Sequence, residues 1–297
     1  MSNLNLGLRD HYLSFSTFTY PGPYKQELID LPGDIRKIGL LVRKNIIHRT
    51  TLAAGNVGTN ADLRFGDMAE MPWWRQPADD ILPTAAAMLA ELHRLDDRGL
   101  IADRAVKNKI IVTCRFISIL MASILKSKGI PARVRSGSAP YFKDRQSNDH
   151  WINQYWDDKR GRWVTIDADG SSLNPKENFD AFDMPDGKFD FPGKAWLDIR
   201  KGRVKPDYFY HASGQRGAVV VAWSLFYDFH SLMNDENIYL HIPKPVRLHE
   251  FPKLTKTKLK EIDDLAELMC DPDANFEALK KIFDTKREWR LFSGALL

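Results

Sequence analysis

The chain has 297 residues and only two cysteines, Cys114 and Cys270. Two thiols exclude a disulfide framework of the kind that staples small secreted domains. No apolar run is long enough for a bilayer. The longest, Phe116 to Leu125, is broken by Ser118 and Ser123 and falls well short of the ~20 residues a spanning helix needs. The opening residues M-S-N-L-N-L-G-L-R-D carry neither a basic leader nor an apolar stretch behind it. We therefore expect a cytoplasmic protein with no membrane partner, whose thiols stay reduced. Paired Cys or His at zinc-site spacing is missing, and so are the G-x-G-x-x-G and G-x-x-x-x-G-K-[ST] loops that cradle phosphates. D-A-D-G at 167–170 and D-M-P-D-G-K-F-D at 183–190 resemble pieces of a calcium loop, but the further ligands are lacking. We expect neither a cofactor nor a metal. There is no internal repeat and no low-complexity tract.

Neither sign of charge dominates. Lys and Arg number 43 against 39 Asp and Glu, for a net charge of +4. The basic residues Lys244, Arg247, Lys253, Lys256, Lys258 and Lys260 crowd one segment, but Glu261, Asp263 and Asp264 follow at once and few aromatics interleave for base stacking. This segment reads as a solvated face, and no nucleic-acid partner is expected.

What is present is the patterning of a globular protein. Three regions are expected: a mostly helical segment over 1–105 packed on the core, a core over 106–192, and a mostly helical extension over 193–297. Residues up to Tyr20-Pro21-Gly22-Pro23 read as an irregular, aromatic lead-in. Asp34 is placed to cap a helix running to about Ile47. Residues 50–77 read as a long loop. Thr84 to Leu95 and Asp103 to Asn108 read as helices. Arg115 to Lys128 is helical and apolar around most of its circumference, which marks a helix buried on several sides. Gly129 and Pro131 stop it. Arg133 to Ser138 reads as a strand, 139–148 as a loop carrying Tyr141 and Phe142. Trp151 to Trp156 and Arg162 to Asp167 flank D-D-K-R-G as a hairpin. Ala195–Arg200, Val219–Asn234, Leu259–Met269 and Phe276–Phe283 read as helices.

Three residues combine into chemistry. Cys114 stands where the buried helix begins, and a helix N-terminus favours the thiolate through its open N–H groups and macrodipole. His150 opens a strand and Asp167 closes the next. Pairing the two across the hairpin centres it between Asp158 and Lys159, in the middle of the expected turn. Cross-strand partners have Cβ atoms roughly 5 Å apart. A carboxylate at that distance can hold one imidazole nitrogen while the other takes the thiol proton, the logic of nucleophile, base and orienter. Each residue also has a plain structural role open to it: Cys114 as a small core residue, His150 as a packed ring, Asp167 as the cap of a turn with Asp169 and Gly170. Cys270, with no His near it in sequence, reads as structural. The backbone N–H of Cys114 is one expected oxyanion donor, and Asn108 and the Trp73/Trp74 pair are candidates for the second. Trp73, Trp74, Tyr141, Phe142 and Trp151 are candidate walls of a substrate pocket. Arg115, Arg133 and Arg135 are charges near the site, each with surface ion pairing as the plainer reading.

The stretches C-R-F-I-S-I-L-M-A-S-I-L-K-S-K-G-I-P-A-R-V-R-S-G, H-W-I-N-Q-Y-W and G-R-W-V-T-I-D resemble the transglutaminase-like superfamily, whose fold is related to that of papain-like cysteine proteases. Y-F ahead of D-H-W and the later F-P-G-K-A-W-L-D-I-R-K-G resemble a group of bacterial transglutaminase-like proteins. Thr113 departs from the small or Gly-containing lead into the Cys. The resemblance implies an α+β fold: a helix carrying the Cys packed on an antiparallel sheet carrying the His and Asp, with extra helices at either end. It implies Cys114 as nucleophile, His150 as general base and acid, and Asp167 as orienter. Since such folds host peptidases, amidases, cross-linking and amide-forming enzymes and inactive binding versions, the reaction is not fixed by it. The function expected is cysteine-dependent acyl transfer on a small-molecule, peptide or carrier-bound substrate; the alternative is a catalytically silent binding or scaffold module.

Overall fold

A computed structural model describes residues 4–50, 70–170, 177–239 and 241–290. Its helices are α1 (Leu6–Leu13), α2 (Lys25–Asp30), α3 (Ile35–Asn45), α4 (Ala85–Leu95), α5 (Cys114–Ser127), α6 (Pro192–Arg200), α7 (Ala218–Leu232), α8 (Lys256–Met269) and α9 (Phe276–Thr285). Its strands are β1 (Ile46–His48), β2 (Ile110–Val112), β3 (Ala132–Lys143), β4 (Gln146–Asp157), β5 (Arg162–Ile166) and β6 (Phe209–Tyr210). One sheet has the order β3-β4-β5 with β6 also on β4, and β1 and β2 form a second, two-stranded sheet. The mixture is the α+β class with an antiparallel sheet that the sequence suggests.

The chain divides into two compact units, Met1–Val134 with Trp151–Pro185, and Arg135–His150 with Asp186–Leu297. Both β3 and β4 pass from one unit to the other.

In the first unit α5 is the centre. All 14 of its residues are buried, and α2, α3 and α4 pack against it. The helices around it start where short polar side chains can satisfy free amides. Asp34 accepts from the amide of Lys37 at 2.8 Å, and Thr84 from that of Ala87 at 3.2 Å. α3 also clamps the chain that follows β5. Arg36 pairs with Asp180, and Arg36 and Arg43 stack over Phe182 at 5.1 and 5.5 Å. Gly39 makes this possible: a Cβ there would lie 2.2 Å from the Phe182 ring.

In the second unit α7 is buried from Val219 to Leu232, and α6 packs on both α7 and α8. Asp228 of α7 accepts two hydrogen bonds from Arg135, each 2.8 Å, and one from the amide of Ser136 at 3.0 Å. Of the basic segment, Lys253, Lys258 and Lys260 pair with Glu250, Glu261 and Asp264.

Several sequence expectations are corrected. The N-terminal lead-in, expected to be irregular, contains α1, and α2 follows the Tyr20–Pro23 turn. The helix from Asp34 ends at Asn45, because Ile46-Ile47-His48 pairs with β2; the β-branched pair favours an extended backbone. Only Val106–Asn108 of the expected 103–108 helix is helical, as a 3-10 turn. The expected loop over 139–148 is strand nearly throughout, with its turn at Asp144-Arg145, where Arg145 adopts φ 64°. Of the loop expected over 50–77, residues 51–69 lie outside the described residues.

Candidate active site

Cys114 is the first residue of α5, reached directly from β2. Thr113, the N-cap, makes no side-chain cap hydrogen bond. Its amide donates instead to Asp79 Oδ1 at 2.9 Å, and Asp79 pairs with Arg49 at 3.3 Å. One turn into α5, the carbonyl of Ser118 accepts from Asn153 Nδ2 at 2.9 Å, which ties the helix to β4. Cys114 itself is 6% exposed.

Asp167 follows the last residue of β5 and is fully buried. Its amide donates to Ala181 O at 2.7 Å. Its Oδ1 accepts from the amide of Gly170 at 2.9 Å, so the turn-capping role is filled by one carboxylate oxygen. Arg43 donates to the carbonyls of Ala168, at 2.6 Å, and Asp167, at 3.3 Å. The loop is therefore pinned on both sides.

The hairpin register differs from the expected one. Pairs run from Asn153↔Ile166 to Asp157↔Arg162, which centres the turn between Lys159 and Arg160. Asp157 Oδ1 accepts from the amides of Lys159 and Arg160, and Gly161 takes φ 61°. These contacts close a loop over 158–161. The ladder's continuation sets Asp167 beside Ile152 instead of His150. A shift of two residues keeps each side chain on its face of the sheet, whereas a shift of one would invert it.

His150 lies on β4 in the second unit, buried, with its ring against Phe142 at 4.6 Å between centroids and 67° between planes. Tyr141 packs edge-on against Phe142 at 5.0 Å and is itself buried. Asp190 of the same unit accepts from Ser147 at 2.7 Å; burial pushes its carboxyl above its ordinary value. Trp151 is buried in the first unit, while Trp73 and Trp74 stand 91% and 61% exposed. Asn108 is not placed to serve Cys114. It ends a 3-10 turn at one end of β2 while Cys114 begins at the other. The extended residues between them span roughly 15 Å. Arg115, Arg133 and Arg135 are all buried, not surface charges. Arg115 lies against Phe18 and Phe116, each at 4.9 Å, and Arg133 over Trp163 at 4.0 Å. Asp79, Asn153 and His48 escaped the sequence reading, since nothing local in the sequence links them to Cys114.

Residues 94–168 match the model of the transglutaminase-like superfamily. The match covers about a quarter of the chain and contains Cys114, His150 and Asp167, and it supports an enzyme of the cysteine type. No curated protein matches the chain. A solved structure named "Putative Cysteine Protease from Cytophaga hutchinsonii" is 13% identical, with a TM-score of 0.35. The likeness covers 58% of this chain and 44% of that one, so this chain spans less than half of that protein's length. No helix of the described residues is long and apolar enough to cross a membrane.

Proposed function

We propose that the protein is a cysteine-dependent acyl-transfer enzyme with Cys114 as nucleophile, His150 as general base and acid, and Asp167 as orienter. The carrying observation is the place of Cys114 as the first residue of a buried helix, inside the stretch that matches the transglutaminase-like superfamily. In this reading the Cys114 proton passes to the imidazole as Sγ bonds to the carbonyl carbon of an amide, thioester or ester. The tetrahedral oxyanion faces the first amides of α5. The imidazolium returns the proton to the leaving group as its bond to carbon breaks, leaving a thioacyl-enzyme. Water or an amine then takes the acyl group, losing a proton to His150 and restoring the thiol. The first outcome is hydrolysis and the second transamidation.

A second reading, a silent binding module, draws on the burial of Cys114 and on the Asp167 Oδ1 contact with Gly170. Alkylation by iodoacetamide at neutral pH separates the two. An activated Cys114 labels much faster than Cys270, and a His150→Ala variant loses that advantage. Hydroxylamine trapping across a panel of acyl donors then reports the thioacyl-enzyme. Equally slow labelling of both thiols, or trapping that survives Cys114→Ser, ends the nucleophile assignment.

A further inference from the structure

β6 lies parallel to β4, with Ser147 beside Phe209 and Asn148 beside Tyr210. The next residue of each strand, Asp149 and His211, continues that register. Both belong to the second unit, as does Ser213. Residues 211–215 form a tight turn. The His211 amide donates to Gln215 O at 2.9 Å, and the Gly214 amide to His211 O at 2.8 Å. Asp149 Oδ1 fastens this turn to β4 by accepting from the Ala212 amide at 2.8 Å.

His211 stands between a hydroxyl and a carboxylate. Its Nδ1 accepts from the Ser213 amide at 3.0 Å and lies 2.7 Å from Ser213 Oγ. An amide N–H can only donate, so Nδ1 carries the lone pair and the hydroxyl proton points at it. The ring proton then sits on Nε2, which faces Asp149 Oδ2 at 3.4 Å. The Trp223 ring meets the imidazole edge-on at 5.3 Å and limits its rotation. Capping the turn needs the amide contact alone. The hydroxyl and the carboxylate are additional, and they complete a set of nucleophile, base and orienter around a serine. The set is within reach of solvent. Ser213 is exposed, and the His211 and Asp149 side chains are 19% and 14% exposed.

We propose that Ser213 is a second nucleophile, independent of Cys114, which captures the acyl group of an activated ester. Oγ bonds to the carbonyl carbon while its proton passes to His211 Nδ1. The ester C–O bond then breaks and the proton departs with the alcohol, leaving an O-acyl serine. The amides of Ser213 and Gly214 are already engaged by His211 Nδ1 and His211 O. Neither is open to hold an oxyanion. The site therefore suits esters with good leaving groups, and single capture rather than rapid turnover.

The test uses the full chain carrying Cys114→Ala, which removes the competing nucleophile without adding a hydroxyl. It is treated with a fluorophosphonate probe, which bonds to an activated serine as fluoride leaves, and separately with p-nitrophenyl acetate. Peptide mass spectrometry places the adducts. Both reagents are expected to modify Ser213 faster than any other serine. His211→Gln removes the base, and the rate at Ser213 falls about 100-fold, the lower end of what a positioned base contributes. Asp149 is a positioning residue that acts through the imidazole. Asp149→Asn keeps an oxygen for the Ala212 amide, yet it slows labelling and lowers the share of the Nε2–H tautomer in two-bond 1H–15N spectra. Should His211→Gln fail to fold, the Cys114→Ala protein in urea stands in, where Ser213 loses its lead over the other serines. The absence of a Ser213 adduct, an undiminished rate in folded His211→Gln, or a lead that persists in urea overturns the proposal.

Discussion

Asp79 Oδ1 holds the backbone amide of Thr113 at 2.9 Å, although 34 residues separate them. The residue before Cys114 is thus fixed by a side chain from another part of the first unit. Asp79→Ala leaves a half-buried amide without an acceptor, which costs about 1–3 kcal/mol. We expect a lower denaturation midpoint together with a changed Cys114 alkylation rate. Asp79→Asn keeps an acceptor oxygen and is expected to lose less of both. Equal losses in the two variants would show that the carboxylate charge, through Arg49, matters more than the hydrogen bond.

Cys270 gives the internal contrast. Partial burial pushes its thiol above the ordinary value of 9.0. The thiolate is the reactive form, so at neutral pH Cys270 should alkylate more slowly than free cysteine. Its rate should still be climbing at a pH where free cysteine has levelled off. A Cys114→Ser protein isolates this thiol, and mass spectrometry after timed quenching gives the profile. A plateau at or below that of free cysteine contradicts the burial argument.

Much of this organisation is legible in the sequence. The buried helix is readable because Phe116, Ile117, Ile119, Leu120, Ile124 and Leu125 surround it, and its stop is readable because Gly129 adopts φ 74° after it. Arg162 to Ile166 announces itself by composition. Two of the misreadings share a cause: strand pairing, which local composition does not show, decides the local state. Ile46-Ile47-His48 has the pattern to continue a helix, but β2 supplies strand hydrogen bonds. Residues 139–143 look like loop beside polar neighbours, but they belong to a long hairpin. The register slipped for a subtler reason. Which residues close the turn depends on Asp157 capping the amides of Lys159 and Arg160, and composition does not reveal that. Asp79 and His48 are invisible for the same reason, since only the fold brings them to the strand that leads into Cys114.

The Arg135–Asp228 pair should dominate the stability of the second unit. Both side chains are buried, at 4% and 1% exposure, and Arg135 also lies over Phe191 at 4.4 Å. Removing one partner of a buried pair strands the other charge, at about 3–5 kcal/mol. Asp228→Ala should therefore lower the unfolding midpoint sharply. The double change Arg135→Met with Asp228→Leu should recover much of the loss, because no charge is then left unmatched. A double variant as unstable as the single one would assign the loss to packing or to the Ser136 amide.

Asp190 gives a pH dependence of defined sign. Burial is the leading cause of its raised carboxyl, opposed by the Ser147 hydroxyl and by Lys194. A carboxyl that holds its proton more tightly folded than unfolded favours the folded state at low pH. That contribution is complete below its ordinary value of 3.8 and is lost as pH rises through the raised folded value. Asn at this position does not ionise and still offers an oxygen to Ser147. Asp190→Asn should therefore leave stability unchanged near pH 3 and raise it at neutral pH, flattening the profile between. Thermal unfolding followed by circular dichroism across that range tests this. A variant destabilised equally at both ends would instead show that the Ser147 contact outweighs the cost of burying the charge.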